Sequence, residues 1–183
     1  MRATPVAAAV LADLDLRDEL ARVHPQAFAW AVRCCRDDRG EAEDVLHEAY
    51  IKVLEGRARF EGRSSFKTWL LGVVRHTARE HDRRHWLRIA RLERWWRADN
   101  DQQRHRSAEH ESVDEEVNEL RNALGRLSKR QQQVLHLVFY QNLTINEAAT
   151  VLTMPVGTAR THYERGKSRL RELLRSARPA DAV

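Results

Sequence analysis

Only two cysteines, four prolines and seven glycines occur among 183 residues, and each scarcity excludes something. The cysteines, Cys34 and Cys35, are adjacent and cannot readily bridge each other, so no disulfide framework replaces a core and a reducing compartment fits best. With so few glycines and prolines, and few stretches alternating apolar and polar residues, little in the chain favours a sheet. The apolar start, MRATPVAAAVLADLDL, is soon interrupted by Asp13 and Asp15. Neither a signal peptide nor membrane insertion is therefore expected, and the chain reads as a soluble, cytoplasmic protein.

What is abundant is charge, 32% of residues, beside a hydrophobic content of 42%. That suffices for one ordinary core or two small ones, and the fold class expected is all-α. A net charge of +5 and a sequence pI near 9.7 suit a polyanionic partner. The distribution says more than the sum. Arg75 to Arg97 holds eight arginines against three acids, and Pro155 to Val183 seven Lys or Arg against three acids. Asp37 to Glu55 reverses this with seven acids against two bases, and Asp99 to Glu119 carries eight against two. Such segregation predicts two kinds of partner surface.

Leu14 to Val23 and Gln26 to Arg36 read as two helices separated by His24 and Pro25, because proline disfavours helix at the residue before it. A stronger helix follows in EAEDVLHEAYIKVLE. There Ala42, Val45, Leu46, Ala49, Tyr50, Val53 and Leu54 form an apolar stripe, and Glu43, Asp44, His47, Glu48 and Lys52 are expected outside it. The stretch GRARFEGRSS breaks the pattern. Phe66, Trp69, Leu70, Val73, Val74 and Thr77 then restart a helix, along which Arg75, Arg79 and Arg83 recur every four residues as a basic ridge. Residues 97–112 contain no large apolar side chain and read as a linker between domains 1–96 and 113–183. Sixteen extended residues reach on the order of 50 Å.

Beyond the linker, Val117, Leu120, Leu124 and Leu127 mark a helix, and Ser128 with Gln131 has capping-box spacing for the next. A second capping box, Thr144 with Glu147, opens a short helix. Pro155 then suits the first turn of a longer one, with Val156, Ala159, Tyr163, Leu170 and Leu174 buried and Arg160, His162, Arg165, Lys167 and Arg169 facing solvent. A short capped helix, a tight turn and a polar, basic second helix describe a helix-turn-helix, the geometry that places a recognition helix in the major groove.

Taken together, AEDVLHEAYIKVLE, FEGRSSFKTWLLGVVRHTAREHDRR and LSKRQQQVLHLVFYQNLTINEAATVLTMPVGTARTHYERGKSRLREL resemble, in order, the extracytoplasmic-function sigma factors of bacterial RNA polymerase. The resemblance implies a subunit that binds core RNA polymerase, recognises two promoter elements and nucleates strand opening, with no catalytic residue, metal or cofactor. It implies that Asp44, His47, Glu48 and Lys52 dock on a coiled coil of the largest polymerase subunit, where an acidic face would attract a basic partner. Phe60, Gly62, Arg63, Ser64 and Ser65 match the loop that captures a base flipped from the non-template strand of the −10 element. Arg75, His76, Arg79, Glu80, Arg83 and Arg84 match the helix that meets the opening strand, and Trp69 falls on that helix's apolar stripe. Thr158, Arg160, Thr161, His162, Arg165 and Lys167 fall in the helix that reads the −35 element as duplex DNA. The family also implies an anti-sigma factor as a further partner. Four positions depart from the family's usual residues: His47 stands for Gln, His76 for Asn, Glu80 for Asp and His162 for Arg or Lys. Trp86, Trp95 and Trp96 receive no role.

Two other readings are weaker. His81 and His85 share the spacing of a zinc-binding HExxH helix, but Asp82 replaces the glutamate, and Arg83 and Arg84 oppose a cation. A DNA-binding regulator using its helix-turn-helix alone would not need the acidic helix, the Gly-Ser loop and the basic ridge in that order.

Overall fold

A computed structural model describes residues 13–96 and 115–177, and every regular element among them is helical. The chain divides into two compact units, Met1–Ser107 and Ala108–Val183. Residues 97–112 lie outside the described residues.

In the first unit three helices pack on one another: α1 (Asp13–Cys34), α2 (Arg39–Leu54) and α3 (Phe66–Trp96). The expected break at His24 and Pro25 is absent, and α1 runs through Pro25 without interruption. A proline inside a helix costs about 3 kcal/mol through its missing N–H and its clash with the preceding turn. Continuity of burial offsets that cost. Leu20, Val23, Ala27, Trp30, Ala31 and Cys34 form one buried stripe on both sides of the proline, while Pro25 itself faces solvent. Trp30 is fully buried, and its indole Nε1 donates to the Leu71 carbonyl of α3 at 3.0 Å. Local propensity predicts two helices; the tertiary face demands one. Burial also pushes the Cys35 thiol up to about 12, which makes it a packing group rather than a nucleophile.

Arg36 and Asp37 turn the chain with left-handed backbone (φ 59 and 69), and Asp38 caps α2 by accepting from the Glu41 N–H at 2.9 Å. Ala42, Val45, Leu46, Ala49 and Val53 are buried, as the spacing predicts, but Leu54 is 50% exposed. At the start of α3, Ser65 Oγ accepts from the Thr68 N–H at 3.1 Å. The helix then continues for 31 residues, about 46 Å at ~1.5 Å per residue.

The second unit holds α4 (Glu115–Gly125), α5 (Lys129–Leu135), a π turn (His136–Tyr140), α6 (Ile145–Val151) and α7 (Val156–Ala177). Both capping boxes form. Ser128 and Gln131 exchange backbone-to-side-chain bonds at the start of α5, and Thr144 and Glu147 do so at α6. Ala123, Leu127, Leu135 and Leu173 make a small core, flanked by Leu124, Tyr163, Leu170 and Leu174. Val156, expected inside, is 41% exposed, as is Leu120. The residue that seats α7 is instead Gly166. A Cβ there would stand 3.1 Å from Gln131 Cβ and 3.2 Å from Leu135 Cδ1, tighter than ordinary contact, so any side chain at 166 would push on α5.

Candidate nucleic-acid interface

In the first unit the charged side chains sort by which way they face. Glu48 accepts two hydrogen bonds from the Arg84 guanidinium, at 2.8 and 3.1 Å, and lies 3.2 Å from Lys52 Nζ. Lys52 donates to Glu80 at 2.5 Å and to the Thr77 hydroxyl at 3.1 Å, and His76 Nε2 stands 3.2 Å from Glu80. This chain of ion pairs ties α2 to α3. The bidentate Arg84 bond is the main reason the Glu48 carboxyl lies below its usual range, and the Lys52 bond does the same for Glu80; burial opposes both shifts.

The network corrects two sequence expectations. Glu48 and Lys52 do not stand on an outward face with Asp44 and His47; they turn toward α3. Of the six α3 residues expected on one exposed surface, Arg75 is only 4% exposed, and Glu80 and Arg84 are held by α2. Helical periodicity places arginines every four residues on one face but does not say whether a neighbouring helix covers that level. His76, Arg79 and Arg83 remain exposed. Neither Arg79 nor Arg83 forms an ion pair with a described residue.

The outward stripe of α2 is Asp44, His47, Ile51 and Leu54 at i, i+3, i+7 and i+10. Ile51, 37% exposed, escaped the sequence reading although its spacing from His47 puts it there, and Leu54 joins it. An acidic end thus leads into an exposed aliphatic end, a pattern suited to a protein partner.

The loop between α2 and α3 is pinned at both ends. The Phe60 ring sits 5.6 Å from Phe66 and 5.4 Å from Trp69, and those two rings are 5.3 Å apart. Phe60 and Ser65 therefore have anchoring contacts, the latter as the cap of α3. Between them Gly62 and Arg63 are exposed and Ser64 is half-buried. Gly62 has φ 69, which other residues adopt only at a cost, and Arg63 reaches no further than Glu61, at 2.8 Å. The result is an exposed tip on a fixed aromatic base.

In the second unit α6 and α7 form the helix-turn-helix, joined by a turn in which Thr153 has φ 46. The opening turns of α7 present Thr158, Arg160, Thr161 and Arg165 to solvent, and Thr161 returns its hydroxyl proton to the Gly157 carbonyl at 2.9 Å. His162 and Lys167 lie half-buried at the edges of this face rather than fully exposed. Lys167 Nζ is 5.5 Å from the Tyr163 ring centroid, and Tyr163 stacks on Phe139 at 5.8 Å. Arg160 and Arg165 form no ion pair with a described acid.

His81, one of the pair considered for zinc, lies with Nδ1 3.1 Å from Glu41, and His85 is exposed.

Comparison with known proteins agrees with this geometry. Residues 20–88 match the Sigma-70 region 2 family and residues 123–172 the Sigma-70, region 4 family. The ECF RNA polymerase sigma factor SigX of Bacillus subtilis is 36% identical over 152 residues, covering 80% of this chain and 78% of that protein. The ECF RNA polymerase sigma factor SigC of Mycobacterium tuberculosis is 30% identical over 158 residues, covering 85% and 80%. In fold, the chain is similar to sigma factor RpoE of Bartonella quintana, solved with the anti-sigma factor NepR, at a TM-score of 0.65 and 24% identity over 90% of this chain and 99% of that one. It is similar also to CnrH, solved with the cytosolic domain of CnrY, at a TM-score of 0.60 and 18% identity over 90% and 91%. Two sigma regions in order, each with a helix that carries exposed arginines, and relatives matched along most of their length make this chain a member of the extracytoplasmic-function (ECF) sigma factors of bacterial RNA polymerase.

Proposed function

We propose that this chain is a dissociable specificity subunit that binds core RNA polymerase in the cytoplasm, directs it to promoters through two DNA elements and nucleates melting. Domain 1–96 takes polymerase and the −10 element, 97–112 spans between domains, and 113–183 takes the −35 element. It acts by binding alone, and the polymerising chemistry remains the polymerase's. The observation that carries the reading is the presence of two separate exposed basic surfaces, the α3 stripe and the start of α7, in units joined by a polar stretch.

The docking face on polymerase is Asp44 and His47 with Ile51 and Leu54: Asp44 attracts a basic partner and the aliphatic pair supplies the desolvated centre. Glu48 and Lys52 act behind it, holding α2 on α3. Gly62, Arg63 and Ser64 form the tip that receives the unpaired base, above the aromatic base made by Phe60, Phe66 and Trp69. Capture offsets an unstacking cost of a few kcal/mol, which allows opening without ATP. His76, Arg79 and Arg83 track the strand. Thr158, Arg160, Thr161 and Arg165 meet the distal duplex element, with His162 and Lys167 at its margins. An anti-sigma factor is proposed as a regulatory partner, since RpoE, which shares this fold, was solved with the anti-sigma factor NepR.

The test is to mix the purified chain with core polymerase and a library of upstream DNA from its host, then sequence transcript 5′ ends. The expected outcome is a set of discrete starts, each preceded by two spaced shared elements. Absence of chain-dependent starts, together with a duplex footprint by the chain alone, would favour the regulator reading.

A further inference from the structure

Trp86 takes no part in the assignments above. It is 58% exposed, whereas Trp30 is fully buried and Trp69 half-buried. No described ring packs against it. Its position is not arbitrary: His76, Arg79, Arg83 and Trp86 follow one another at i, i+3, i+7 and i+10, so all four lie on one exposed face of α3. The stripe is about 15 Å long at ~1.5 Å per residue. Thr77, Glu80 and Arg84 point instead toward α2.

Two properties of this stripe narrow its ligand. Arg79 and Arg83 have no carboxylate partner among the described residues, so they select a polyanion rather than an acid of their own chain. A large flat ring standing in water at the end of that cationic track then selects a ligand with a free aromatic face. Duplex DNA has its bases stacked and offers such a face only where a strand is unpaired; a single strand offers one at every nucleotide. An indole needs no particular base, since every base has a π-face to stack on it.

We propose that Trp86 is a stacking platform for one nucleobase of the unpaired non-template strand, at the end of a phosphate track made by Arg79 and Arg83. The contact retains the strand after opening and tolerates any base. It rests on the reading of the chain as a sigma factor, and it adds a second base-holding point to the loop tip at Gly62 and Arg63.

Holoenzyme containing wild-type chain, Trp86→Ala or Trp86→Phe is titrated with a promoter taken from the transcript mapping, once as intact duplex and once with the non-template strand held open by mismatches. Affinity for core polymerase is measured in parallel. W86A is expected to weaken binding of the open template about tenfold, within the range for loss of one stacked base, with core affinity unchanged and most binding restored in W86F. Single abasic nucleotides placed along the open strand should locate the partner: one position lowers wild-type affinity but costs W86A nothing further. Unchanged open-template binding by W86A overturns the proposal, and so does an equal loss of core affinity, which would make Trp86 a protein contact. If wild-type holoenzyme itself fails to bind the open template or to start transcripts, the sigma reading falls and this proposal with it.

Discussion

Helices α3 and α7 are both rich in arginine and both face nucleic acid in our reading, yet they hold their charges differently. On α3, Arg84 is bound to Glu48, and Glu80 is bound to Lys52 of α2 and reached by His76. On α7 the one ion pair among described residues is Arg169 with Glu172, within the helix. The first unit therefore uses charge to join helices, and the second joins α5 to α7 by close approach at Gly166. A basic helix is consequently not a uniform DNA surface: the carboxylates of its neighbours decide which cations remain available.

That contrast can be broken at its packed end first. Gly166→Leu forces a side chain into the contact with Gln131 and Leu135 and is expected to destabilise the second unit by about 3 kcal/mol. All five tryptophans lie at or before Trp96, so tryptophan fluorescence follows the first unit and should not change its denaturation midpoint, while helical circular dichroism should show an earlier loss. The charged end comes next. Lys52→Met removes one of the two cations that Glu48 and Glu80 share, leaving Arg84, and is expected to lower the stability of the first unit by about 2 kcal/mol. Tryptophan fluorescence in a urea titration would read this directly, and an unchanged midpoint would mean that the network holds nothing together.

A smaller effect separates the units by acid. Glu48 and Glu80 have folded-state pKa values below those of the unfolded chain, so their contribution is fully present above the unfolded value and is lost as pH falls through the folded one. Urea midpoints from tryptophan fluorescence should therefore drop below about pH 4.5, and that drop should shrink in Lys52→Met. The smallest change sharpens the comparison from the other side. Arg165→Met on α7 should alter stability by less than about 0.5 kcal/mol yet reduce the salt dependence of distal-element binding by about one unit of slope, measured by titrating holoenzyme with promoter DNA over a range of salt.

How much of this was legible beforehand follows from the range of the forces involved. Capping boxes at Ser128 and Thr144 and the stripe from Ala42 to Val53 are read within one or two turns of chain, and they appear as expected. The continuity of α1 through Pro25 was not legible, because the penalty is local while the burial of Trp30 against Leu71 spans 41 residues. The same distance hid the sites. Periodicity puts Glu48 and Lys52 outside the core, but only the packing register of α2 on α3 reveals Thr77, Glu80 and Arg84 waiting opposite. Arg75 lost its place on the ridge because it is buried, and Ile51 joined the outward stripe of α2. The break between α2 and α3 was legible because a glycine among polar residues is itself a local signal.

The π turn at His136–Tyr140 bears on how the chain tolerates changes of length. A π turn closes with N–H to C=O bonds five residues apart, here Gln141 to His136 at 3.1 Å, and so accommodates one residue more than an α turn of similar reach. It leaves Phe139 and Tyr140 at 59% and 66% exposure between the buried Leu137 and Leu143. Deleting one residue here would allow an ordinary α turn, with the side chains that remain in the turn after the deletion moved by about 100° around its axis. Such an edit would turn the outward aromatic pair and also displace the buried Gln141 and Leu143 that follow, so the length of these five residues matters both to the surface and to the packing behind it.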